Sequence, residues 1–68
     1  MSKLDLIKRM IKVREMNVFS QSYLKEFISA YPEHNTDVDL IRNVWHCKSN
    51  REDIIIKFES LAQSLKAS

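Results

Sequence analysis

The chain is expected to be all-α, a compact bundle of about four short helices forming a single helical domain over residues 1–68. Three observations lead there. It has no Gly and one Pro in 68 residues, so tight hairpin turns and Gly-rich phosphate loops are hard to build. Its apolar residues recur at helical spacing, i, i+3, i+4 and i+7. Its 44% hydrophobic and 29% charged content is that of a folded chain, not a disordered one.

The first helix is expected from Lys3 to Glu15. Ser2-x-x-Asp5 is a capping box that would hold its first turn. Leu4, Ile7 and Ile11 form one apolar stripe, and Leu6, Met10 and Val13 a second beside it. An arc this broad should touch two neighbours. Residues 16–22, MNVFSQS, are rich in turn and cap formers, namely Asn17, Ser20 and Ser22. The reading is a break with Val18 and Phe19 as core plugs beneath it. A single helix running on to Ala30 is the alternative.

The second helix follows from about Gln21 to Ala30, with Leu24, Phe27, Ile28 and Tyr31 inward. Pro32 stops it, because Tyr31 is pushed out of helical angles. The connection is Tyr31–Asn35. Thr36 then caps a short third helix, about Asp37 to Cys47, with Asp39 as the capping-box partner. Val38, Ile41, Val44 and Trp45 form its apolar side. Trp45 is placed between helices 2, 3 and 4, although an exposed Trp would serve as a partner anchor. Asp39, Arg42, Asn43 and His46 form its polar side.

Ser49 or Asn50 should cap the fourth helix, and Ser49-x-x-Glu52 is a full capping box. Ile54, Phe58, Leu61 and Leu65 make its stripe, widened by Ile55 and Ala62. Ile54, Ile55 and Ile56 are consecutive and span about 200° at roughly 100° per residue. One of them must leave the main face. It is either a scattered exposed residue or part of a self-association surface on helix 4, assigned to Ile55 and Ile56.

Composition narrows the function classes. Cys47 is the only cysteine, so a disulfide framework is out and a reducing compartment is expected. No apolar run approaches the roughly 20 residues of a membrane span. Lys8, Arg9, Lys12 and Arg14 interrupt the apolar region that a signal peptide would need. The expectation is a cytoplasmic protein without membrane contact. The net charge is +2, but residues 17–40 are acidic and both ends are basic. That pattern serves either intramolecular pairing or a basic surface facing an acidic partner.

Catalytic constellations are missing. His46 and Cys47 are adjacent, hence about 100° apart on a helix and unable to act as nucleophile and base together. His34, His46 and Cys47 match no zinc spacing. Cys47 reads as a small buried hydrophobe and the two His as surface or interface groups. The expectation is no enzyme, no metal and no cofactor.

The order YLKEFISAY-PEHN-TDVDLIRNVWHCK, a supporting helix, a connection and a hydroxyl-capped second helix, resembles small helix-turn-helix DNA-binding domains of the phage-repressor and LacI type over roughly residues 23–65. The resemblance implies a DNA-binding regulatory protein, of phage or mobile-element type, on double-stranded DNA. Asn43 would read adenine, Arg42 guanine or a phosphate, and His46 and Lys48 the backbone, with Arg51 beside them. Three features depart from the family pattern: the turn has no Gly, the connection with Pro32 is somewhat long, and Asp37 and Asp39 bring negative charge to the first turn. Contact is therefore expected from the middle and end of the helix. The alternative is a helical protein–protein interaction module, an inhibitor or adaptor, that binds another protein or itself and no nucleic acid.

Overall fold

The structure, a computed structural model, describes residues 2–19 and 22–67. The described residues form four α-helices and no strand: α1 (Lys3–Glu15), α2 (Tyr23–Ala30), α3 (Val38–Trp45) and α4 (Glu52–Ala67), with a one-turn 3₁₀ helix, Pro32–His34, between α2 and α3. The all-helical reading is what the structure shows.

Ser2 caps α1, accepting the Asp5 amide at 3.2 Å. The helix stops at Glu15 because Asn17 takes a left-handed φ of 54°, which Asn tolerates better than most residues. The break between the first two helices is real. Ser22 caps α2 through the Lys25 amide at 3.3 Å, while the expected start at Gln21, and Ser20 with it, lie outside the described residues. Val18 and Phe19 pack against the core as plugs.

α1 lies along α4 and also meets α3. Arg9 pairs with Glu52 and Glu59, and the Arg9 Nε–Glu59 Oε2 distance is 2.9 Å. Farther along, Lys12 and Met16 face Gln63 and Lys66 across a groove of about 410 Å³. The pairing advances in the same sense on both helices, so they run in the same direction. Glu59 raises the Arg9 guanidinium above its usual value, chiefly through their hydrogen bond.

The core takes Leu6, Met10 and Val13 from α1, Phe27 from α2, Ile41 and Val44 from α3, and Ile54, Ile55, Phe58 and Ala62 from α4. Phe58 is its hub. Its ring lies 4.5 Å from Phe27, 5.6 Å from Trp45 and 6.0 Å from Phe19, centroid to centroid. Rings at such offsets and tilts interact favourably beyond their area burial.

Four expectations need correcting. Only the second α1 stripe is buried; Leu4 and Ile11 of the first are 61% and 41% exposed. Ile55 is fully buried in this chain's own core and offers nothing to an oligomer interface, whereas Ile56 is 48% exposed. Thr36 does not cap α3. Asp37 holds the N-cap position and makes no side-chain cap bond, because its carboxylate turns back to His34 Nδ1 at 3.0 Å. Finally, α4 begins at Glu52, past Ser49 and Asn50, with the Ile55 amide bonded to the Arg51 carbonyl at 3.1 Å.

Candidate nucleic-acid interface

α3 is anchored by one side and leaves the other open. Ile41 and Val44 are fully buried, and Trp45 is half-buried, stacked on Tyr23 at 4.2 Å with the planes 4° apart. With about 100° between successive residues, Asp39, Arg42, Asn43 and His46 then fall on the opposite side. All four are exposed. The structure thus brings Arg42, Asn43 and His46 together on one outer face.

The end of α3 brings in Lys48. The Lys48 amide returns to the Asn43 carbonyl at 2.7 Å and the Cys47 amide to the Val44 carbonyl at 3.1 Å. This bond pair is a Schellman closure, which needs a left-handed residue and usually takes Gly. The chain has no Gly, and Cys47 fills the position at φ 60°. A β-carbon there costs about 1–2 kcal/mol. Cys47 is half-buried rather than the buried hydrophobe expected. The closure folds the backbone of Lys48 back beside Asn43.

Among the described residues, the side chains of Arg42, Asn43 and Lys48 make no hydrogen bond or ion pair, and His46 has only an edge contact with the Tyr23 ring at 6.3 Å. Arg51 differs. Its guanidinium makes two bonds to Asp53, at 3.1 and 2.9 Å. That contact holds the Asp53 carboxyl below its usual range and raises Arg51. Arg51 is thus engaged by Asp53, and the other charge acting on it is Asp37, the N-cap of α3.

The acidic residues around α3 are also largely engaged. Glu33 lies 3.4 Å from Lys57 Nζ, and its carboxyl is lowered first by its own backbone amide and then by Lys57. His34 Nε2 lies 2.6 Å from Lys57 Nζ. A lysine ammonium can only donate, so Nε2 accepts and the Nδ1 proton points at Asp37. His34, expected at the surface or an interface, is 13% exposed and pinned from both sides. Among the described residues, Asp39 alone keeps an unpaired carboxylate on the outer face of α3.

Arg14, from α1, also reaches the end of α3. Its guanidinium sits 5.5 Å above the Trp45 ring, and with Asn17, Phe19, Tyr23 and Trp45 it lines a cavity of about 180 Å³. Nothing local links the end of α1 to the end of α3; only the packing does. Among the described residues no cluster of His, Cys, Asp and Glu could hold a metal ion, and no helix is long and apolar enough to cross a membrane. Comparison with protein-family models, curated proteins and solved structures gives no match.

Proposed function

We propose that the chain is a small duplex-DNA-binding regulatory protein that presents the outer face of α3 to the major groove, in the manner of a helix-turn-helix. It is a binding protein and not an enzyme. One observation carries the reading. Arg42, Asn43 and His46 stand side by side and exposed, Lys48 is folded back next to them, and none of these side chains is hydrogen-bonded or ion-paired within the described residues. Exposed donors without an intramolecular partner, at this spacing, suit base edges and phosphates.

Asn43 would pair with adenine and Arg42 with guanine or a phosphate, while His46 and Lys48 would take the backbone. The engagement of Glu33 by Lys57 and of Asp37 by His34 lessens the acidity facing a phosphate strand. Asp39 keeps the first turn off the duplex, so contact comes from the middle and end of the helix. Arg51 can join only by exchanging Asp53 for a phosphate. The connection is longer than in a compact helix-turn-helix because the 3₁₀ turn is inserted, so the docking angle of α3 is its own.

A gel-shift assay at low salt against mixed genomic fragments tests the proposal. A salt-sensitive shift is expected. No shift at micromolar protein sinks it. A protein-interaction module is the second reading, and it draws on a different surface, the exposed Leu4 and Ile11 of α1.

A further inference from the structure

α1 leaves an apolar strip uncovered. Leu4 and Ile11 are exposed and Ile7 is half-buried. At about 100° per residue these three fall within an arc of about 60°, beside the buried strip of Leu6, Met10 and Val13. Isolated exposed apolar residues are ordinary, and Ile56 on α4 is one of them. Three at i, i+3 and i+7 are different, because this is the spacing by which one helix packs on another.

The flanks of the strip are basic apart from Glu15. By the same geometry Lys8 borders one side and Lys3 and Arg14 the other, all exposed. Among the described residues Lys3 and Lys8 have no ion-pair partner, in contrast to Arg9, which pairs with Glu52 and Glu59 on the side turned to α4. We propose that the Leu4–Ile7–Ile11 strip of α1 is the docking surface for an amphipathic helix of another protein, one whose apolar ridge is bordered by Glu and Asp.

The charges choose this occupant over two others. A second copy laid strip to strip would set the Lys3 and Arg14 border against the Lys8 border when parallel and against its own counterpart when antiparallel, with Glu15 the one acid beside the strip, and like charges at such positions oppose pairing. An anionic lipid surface would accept Lys3 and Lys8. Binding of that kind grows with buried apolar area, and this strip is only two turns long. Glu15, exposed and falling next to Ile11 on the same face, would also oppose lipid phosphates. A partner helix needs no larger strip, and a single partner Lys or Arg answers Glu15. The inference goes beyond DNA binding and uses none of the α3 residues.

The test is fluorescence anisotropy of the full chain with two designed helical peptides, both with Leu at the a and d positions, one with Glu and the other with Lys at e and g. The acidic peptide is expected to bind at least about tenfold more tightly, as charge complementarity at such borders dictates. Leu4→Gln with Ile11→Gln should abolish binding while circular dichroism stays unchanged, since neither residue is in the core. Lys3→Glu with Lys8→Glu should reverse the preference to the basic peptide. Arg42→Ala with Asn43→Ala should leave peptide binding intact. Failure of both peptides to bind, equal binding of the two, or binding that survives the Leu4/Ile11 changes would overturn the proposal. So would strip-dependent binding to phosphatidylglycerol vesicles, or a dimer in sedimentation that those two changes dissolve.

Discussion

The corner where the 3₁₀ turn meets α4 and the outer face of α3 are built from the same residue types and arranged in opposite ways. At the corner, His34, Asp37, Glu33 and Lys57 bond to one another, and Tyr31 closes the group with its hydroxyl on the Lys57 carbonyl at 3.3 Å and its ring 5.5 Å from the Lys57 ammonium. On α3 and at its C-terminal end, Asp39, Arg42, His46 and Lys48 are exposed with no such bonds among the described residues. Polar side chains satisfied within the chain position the backbone. Those left unsatisfied on a rigid helix cost nothing to present and are available to a partner. The corner holds α3 in place by its entrance, and the outer face is what it holds out.

If that division is right, substitutions should separate into those that unfold and those that do not. The largest effect is expected from Phe58→Ala, which removes the hub of the ring cluster. Such a loss costs about 3–5 kcal/mol, comparable with the whole stability of a domain this small. Thermal melting should show a broad or lost transition. At the corner, His34→Ala strands Asp37 and removes an acceptor from Lys57. A loss of about 1–2 kcal/mol is expected by urea unfolding. A loss as small as that of an exposed residue would mean the corner pins nothing.

Cys47→Gly moves stability the other way. It relieves the left-handed β-carbon and should stabilise by about 1 kcal/mol, seen as a higher urea midpoint. On the outer face, Arg42→Ala and Asn43→Ala should stay within about 0.5 kcal/mol of the parent. A larger loss would show that these residues serve the fold and would erase the contrast between the two regions.

The pH dependence follows from the paired carboxylates. Asp53 and Glu33 are lowered in the folded chain. Their stabilising contribution is therefore present above the ordinary carboxylate value, about 4. It is lost as pH falls through the lower folded value. Both groups are exposed, so the effect should be small and screened by salt. Melting temperature should decline modestly below about pH 4, and Arg51→Ala should remove the share that belongs to Asp53. Arg9 is raised, not lowered, and contributes nothing to this acid limb.

Much of the helical framework was legible because the signals are local. Ser2, Asn17, Ser22 and Pro32 punctuate the chain by their own backbone and capping chemistry, and the structure keeps each of them as a boundary. What was not legible depends on packing at a distance. Both α1 stripes satisfy the helical pattern, and only the position of α4 decides that Leu6, Met10 and Val13 go inside while Leu4 and Ile11 stay out. Ile54, Ile55 and Ile56 are equivalent in composition, and the same docking buries the first two. Thr36 had every local qualification as a cap, but the 3₁₀ turn drew Asp37 to His34 and moved the helix start. The polar face of α3 could be read from spacing alone, whereas Arg14 over Trp45 could not. The binding partner of that face is a matter of chemistry outside the chain.

The most direct measurement of the central claim is the anisotropy of a labelled DNA duplex titrated with the parent chain and with the Arg42→Ala/Asn43→Ala variant, across a salt series. The account expects binding that weakens with log salt by about 0.9 per neutralised phosphate. It expects the variant to lose about 1–3 kcal/mol per base contact removed while melting like the parent. No binding at low salt, or a variant that binds as the parent does, would contradict it.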